Sequence, residues 1–233
     1  MSTQPPFRNR SRAFSLVELL VVVAIIGIIG TFVVPAVGSL LKGSGLTQAA
    51  NILTDQVAAA RQHALSRNRV VEVRFYRFGD PEQVGENAGD PSTGLYRALQ
   101  YLEIGENGIP SPVGKLIRFP DTVMMSTSQT LSSLLGADVA SRRVMMAQLD
   151  QNDPEMPRGV GKKYEYISFR FLPDGTTNLP INGASNGLWF ITVHLVNDRG
   201  RATADTPPPN FFTWMIEPVS GNSKVLRPGI VKK

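Results

Sequence analysis

Apolar positions along the chain fall into three regimes. Between Leu16 and Gly30 they run nearly unbroken, and from Leu19 to Leu41 no residue carries a charge. From Leu46 they recur at Ala50, Leu53, Val57, Ala60 and Ala64, with spacings of 4, 3, 4, 3 and 4. Beyond Asn68 they alternate with polar residues in short runs, separated by glycine, proline and asparagine. The first regime is a helix apolar on all sides, close to the roughly 20 residues that cross a bilayer core. The second is the narrow stripe of a helix that lies on another layer. The third reads as strands. The pattern predicts an α+β protein: one helix over 14–67, embedded over 14–41 and amphipathic over 46–67, followed by a β-rich head over 68–233. Asn68 supplies the stop between them.

Within the head, Val71, Val73 and Phe75 alternate with Glu72, Arg74 and Tyr76, which predicts a half-buried strand over 70–78. A polar loop over 79–94 leads to a second strand over 95–104, which turns at Glu106-Asn107-Gly108. A short strand is expected over 115–119, a short helix over 131–135 and a loop over 150–159. Ile167, Phe169 and Phe171 mark another strand, closed by the turn Pro173-Asp174-Gly175. Trp189, Ile191, Val193 and Leu195 share one face of a strand over 188–196. A proline-rich connector over 203–210 precedes a strand over 211–216, and Ser220-Gly221-Asn222-Ser223 turns into a last one over 224–227. Pro35 lies inside the predicted helix, where it removes a backbone donor and crowds the preceding turn, so a kink is expected near Val34–Pro35.

Charge changes the picture at the N-terminus. Arg8, Arg10 and Arg12 precede the apolar run, and basic flanks stay on the cytoplasmic side, so the head should face out. Residues 1–13 are polar and basic, and read as a leader. Without those three arginines the formal charge of +5 falls to +2, so the basic balance is mostly topogenic and does not describe a nucleic-acid binder. Glu18 is the anomaly. A carboxylate in a membrane helix costs up to about 2.5–3.5 kcal/mol at its centre, and is retained for a partner. If the chain is cut between Ala13 and Phe14, a new α-amine appears four residues from Glu18. When such rods bundle, the amine of one can neutralise the carboxylate of its neighbour, which fixes one stagger because an unpaired charge in a dry bundle is expensive. Glu18 argues against the alternatives, an ordinary cleaved signal peptide or a plain membrane anchor that never polymerises.

The run Arg12-Ala13-Phe14-Ser15-Leu16-Val17-Glu18-Leu19-Leu20 resembles the class III signal of type IV prepilins and type II secretion pseudopilins. The resemblance implies cleavage by prepilin peptidase between Ala13 and Phe14, methylation of the Phe14 amine, an assembly ion pair at Glu18 and the recurrent helix proline at Pro35. Ala13 departs from the usual glycine before the cut. It further implies the pilin architecture, with partners in other subunits, the assembly platform and the inner membrane. The head would be periplasmic, or extracellular within a filament. Ala58–Asn68 running into a valine-rich strand, Phe171-Leu172-Pro173-Asp174-Gly175 and the closing turn near Gly221 resemble the GspH and FimT minor-pilin branch. The segments 61–77, Asp80-Pro81, 169–175 and Asn210-Phe211-Phe212-Thr213 are similar to the prepilin-like Verru_Chthon cassette protein D family.

Other candidate chemistry is sparse. The chain has no cysteine, which removes disulfides, thiol catalysis and thiolate metal sites. No Walker-type or nucleophile-elbow pattern occurs, so neither an enzyme nor a cofactor is expected. His63, near a helix end, and His194, in a strand, read as structural. Asp80, Glu82, Glu86, Asn87 and Asp90 offer the hard oxygen ligands that calcium takes, without EF-hand spacing, and a solvated loop is the simpler reading. Lys224, Arg227, Lys232 and Lys233 make a basic end. The FimT resemblance implies DNA as the partner of such a region, and the plain reading is a solubilising tail.

Overall fold

The computed structural model describes residues 15–87, 90–136, 143–146, 163–181, 187–198 and 208–228; the side chains of 30–42 and 143–146 lie outside that description. The chain divides into two units at Leu41/Lys42. One helix, α1 (Leu16–Arg67), contributes to both. The helical backbone passes through Pro35 without interruption. The kink expected there falls on residues whose side chains are outside the description.

Both ends of α1 follow from local chemistry. Ser15 stands before the first turn, and its hydroxyl accepts from the Glu18 backbone N–H at 3.3 Å. Ser15-Leu16-Val17-Glu18 is thus a serine with a glutamate three residues on, the pattern of a capping box, and it places an acid at the positive end of the helix. At the other end Asn68 takes a left-handed conformation, φ 53°, and the Arg69 N–H reaches back to the Ala64 carbonyl at 3.3 Å. That six-to-one bond is the Schellman stop.

The head unit is built on two antiparallel sheets. The strands are β1 (Val71–Phe78), β2 (Leu95–Ile104), β3 (Pro110–Pro112), β4 (Ile117–Arg118), β5 (Val123–Met125), β6 (Arg143–Met146), β7 (Tyr164–Phe171), β8 (Trp189–Leu195), β9 (Phe211–Ile216) and β10 (Ser223–Leu226). The first sheet has the order β3-β2-β1-β7-β6, with β4 also on β2; the second has the order β10-β9-β8-β5. In the first, β1 is central: Phe75 lies opposite Leu99 on one side and Ile167 on the other.

The stripe on α1 is the floor of the core. Leu46, Ala50, Leu53, Val57, Ala60 and Ala64 are all buried, and Ala49 joins them. They share one cluster with Val73 and Phe75 of β1, Phe169 and Phe171 of β7, and Ile191 and Trp214 of the second sheet. Small alanines on the stripe let the helix backbone approach the sheets, while the aromatic bulk comes from the strands.

Three expectations are corrected. The first strand is buried on both faces, since Glu72, Arg74 and Tyr76 are as inaccessible as Val73. The second face carries its own cluster of Tyr76, Phe78, Ala98, Tyr164 and Tyr166. Its charges are paired in place: Arg74 and Arg170 share Glu72, and Arg77 meets Glu165 at 3.0 Å. Alternation shows that two faces differ, and here one is apolar and the other aromatic and ionic. Second, the segment 131–135 makes turns instead of a helix. Its polar groups serve β8: Ser133 Oγ accepts from Phe190 N at 2.9 Å and Ser132 Oγ from Thr192 N at 3.1 Å. Serines that bond backbone elsewhere compete with helix formation. Third, the strand expected over 115–119 shrinks to β4, and β3, β5 and β6 are additional. The loop expected over 150–159 lies outside the described residues, as does the connector over 203–207.

Candidate functional site

The N-terminal part of α1 carries the first candidate site. Leu16, Val17, Leu19, Leu20 and the apolar residues on to Ile29 are exposed, Leu16 at 81% and Ile26 at 63%. An apolar surface of this kind, continuous along a helix, is a binding surface by its physics. Glu18 is exposed beside it, in the first turn. Ala13 and Phe14, the expected cleavage and methylation positions, lie outside the described residues. Among the described residues no helix is long and apolar enough to cross a membrane; residues 30–42, the second half of the uncharged run, stand outside that statement.

A second constellation was not singled out as a site from the sequence. Arg61, on α1, donates from Nε to the Gly175 carbonyl at 3.2 Å and from Nη2 to the Ser220 carbonyl at 2.9 Å. Its partners lie 114 and 159 residues further along the chain. Both turns hold a glycine at positive φ, Gly175 at 82° and Gly221 at 65°. A Cβ on Gly221 would collide with the Gly175 carbonyl oxygen. The guanidinium fork therefore clamps the turn after β7 and the turn between β9 and β10 onto one helix. The segments that carry the minor-pilin resemblance, 58–68, 171–175 and the turn at Gly221, meet at this clamp. No local signal marks Arg61, because its partners are backbone oxygens of distant turns.

The acidic loop is internally engaged. Arg97 Nη2 donates to both oxygens of Glu86, at 2.6 and 2.8 Å, and Nη1 lies 3.6 Å from Asp80 Oδ2. Asp80 Oδ1 accepts from Glu82 N, and Asp90 Oδ1 from Ser92 N and Oγ. The Ser92 hydroxyl and backbone N–H hold the Asp90 carboxyl below its usual range. Among the described residues no group of three or more acidic or histidine side chains gathers as a metal site would require. The carboxylates organise the loop instead.

His63 and His194 are apart and differently employed. His63 Nε2 is 2.6 Å from Glu103 Oε2, which ties α1 to β2. His194 is buried on the second face of β8, and its Nδ1–H donates to the Leu195 carbonyl at 2.9 Å. Burial lowers its pKa, so the neutral ring is favoured there. At the basic end, Lys224 and Arg227 are exposed, and Arg227 Nη2 reaches Thr47 Oγ1 of α1 at 3.3 Å. Lys232 and Lys233 lie outside the described residues.

Comparison with known proteins bears on the first site. Residues 8–34 match the prokaryotic N-terminal methylation motif. No curated protein matches the chain. Two solved structures are similar over most of its length. One is the minor pseudopilin EpsH from the type 2 secretion system of Vibrio cholerae, at 8% identity and a TM-score of 0.39, covering 79% of this chain and 98% of that one. The other is the type IV minor pilin FimU of Pseudomonas aeruginosa, at 10% identity and a TM-score of 0.38, covering 83% and 95%.

Proposed function

We propose that the chain is a structural subunit of the minor pilin or pseudopilin kind, matured by prepilin peptidase between Ala13 and Phe14 and methylated at Phe14. The observation that carries this reading is the methylation motif over 8–34, of which Leu16 to Ile29 form an exposed apolar stretch of α1. In this reading residues 14–41 hold the subunit in the bacterial inner membrane, with the head periplasmic, until it joins a type IV pilus-like or type II secretion filament. The basic flank and uncharged run support that topology. Pro35 is the site of the helix kink, and Glu18 meets the amine of an adjoining copy.

The reading has a direct test. Mass spectrometry of the mature protein is expected to find methylated Phe14 at its start. The Glu18→Ala chain is expected to insert in the membrane at the normal level yet to be lost from sheared filaments. A chain that retains residues 1–13, or Glu18→Ala subunits recovered in filaments at the unaltered level, would overturn it.

A further inference from the structure

The two sheets of the head end differently. On one side the first sheet ends at β3. The Gly105 N–H donates to the Ile109 carbonyl at 3.0 Å and the Val113 N–H to the Tyr101 carbonyl at 3.3 Å. In an antiparallel ladder such bonded pairs alternate with pairs whose backbone groups point away from each other. Leu102 lies opposite Pro112 and Ile104 opposite Pro110, so the outward positions of β3 are the two prolines. Neither has an amide hydrogen, and the outer side of β3 offers no donor to another strand.

The second sheet ends at β10, which has no such seal. The Glu217 N–H donates to the Asn222 carbonyl at 3.0 Å. Continuing that register, Lys224 and Leu226 form bonded pairs with Met215 and Thr213, and the backbone N–H and C=O of Ser223 and Val225 point away from β9. No described strand takes them up. The side chains are sorted by face. Ser223 and Val225 are half-buried on the inner face, Val225 against the core, while Lys224 and Leu226 are exposed on the outer one. Neither Lys224 nor Arg227 has a carboxylate partner among the described residues. Arg227 Nη2 reaches the Thr47 hydroxyl at 3.3 Å, and the Glu217 carboxylate is taken up by the Ser220 hydroxyl at 2.7 Å.

A second β10 is a poor occupant for this edge. The antiparallel register that satisfies Ser223 and Val225 of both strands sets Lys224 directly opposite its own copy, and like charges so placed are destabilising. We propose that the β10 edge docks an extended segment of a different protein, alternating acidic and apolar residues, which pairs antiparallel with β10 as a further strand of the second sheet. Its residues opposite Ser223 and Val225 share the inner face and are apolar, to continue the cover over the core edge. Those opposite Lys224 and Arg227 share the outer face and are acidic. The main chain supplies the bonds, and the alternation selects the partner. The contact leaves α1 untouched and does not depend on the assembly reading above.

The probe is a fluorescent, end-capped octapeptide alternating valine and glutamate, titrated with the full chain in detergent and read by anisotropy. It is expected to bind about fivefold more tightly than its valine–lysine counterpart, because opposite charges across a strand pair attract. It should also outbind a peptide of the same composition with its valines and glutamates in two blocks. Val225→Pro removes an outward donor without touching the bonds to β9, and should weaken binding roughly tenfold. Val225→Ala keeps that amide and should stay within about threefold of the parent. Methylating the valine amides of the peptide, with the protein unaltered, should abolish its advantage over the block peptide. Equal binding of the alternating and block peptides would mean charge attraction alone and overturns the docking site. Undiminished binding of the methylated peptide, or by the Val225→Pro chain, overturns it too, as does no binding at millimolar peptide. Self-association of the unaltered chain that Val225→Pro abolishes would assign the edge to a second copy and overturn the acidic partner.

Discussion

Arg61 and Gly221 make one joint. The arginine supplies two donors in a fixed fork, and the two carbonyls it reaches are brought close only because Gly221 has no side chain. Removing the fork leaves half-buried carbonyls to find water. Arg61→Ala is expected to cost about 1–3 kcal/mol, the range for losing hydrogen bonds to a charged donor. Gly221→Ala combines a left-handed φ with a backbone collision, and should cost at least about 2 kcal/mol. Urea unfolding of the full chain in detergent measures both, and an Arg61→Ala midpoint unchanged from the parent would count against the clamp. Residue-scale legibility was uneven. Glu18 stood out because a charge interrupts an apolar run, and Asn68 because asparagine accepts left-handed backbone. Arg61 looked like one more polar residue beside the stripe. The Ser15–Glu18 capping box is legible from its spacing, a serine followed by a glutamate three residues on.

At the scale of elements, α1 performs two tasks along its length. Residues 46–64 present a stripe that is buried, while Leu16 to Ile29 are exposed all round. The same truncation should therefore have opposite signatures at its two ends. Leu53→Ala is expected to destabilise the head by about 2–5 kcal/mol, as for other buried leucines. Leu19→Ala should leave the unfolding midpoint within experimental error and act on membrane partition or filament yield. Equal effects of the two on head stability would refute the division. The strands over 95–104 and 211–216 were legible to the residue, because their flanks carry unambiguous turn residues. The short strands β3 and β4 were not, since two or three residues hold no period to detect. The segment 131–135 misled for a different reason: its leucines do point inward, but its serines are committed to the edge of β8.

The whole head shares one apolar core, and a second layer of aromatic and ionic groups covers the far side of the first sheet. Its pH response should carry the mark of His194. Burial lowers that pKa in the folded state, so the unfolded chain binds the proton first. Stability should hold above the ordinary histidine value of about 6.5 and fall as pH drops below it, levelling once the folded ring also protonates. His194→Gln should flatten that fall between pH about 6.5 and 5 in urea titrations, though the parent loses no stability at pH 8. A variant whose slope matches the parent would assign the effect elsewhere. The two-sheet arrangement itself was visible only as a supply of strands. Which strand neighbours which is decided by contacts between segments far apart, such as β1 with β7, and spacing along the chain does not encode them.

The central seat of β1 has a consequence for how the molecule is made. Synthesis delivers β2 soon after β1, so one edge is satisfied early. The opposite edge must wait for Tyr164–Phe171 to emerge, and until then a row of valine and phenylalanine amides stands open to any passing strand.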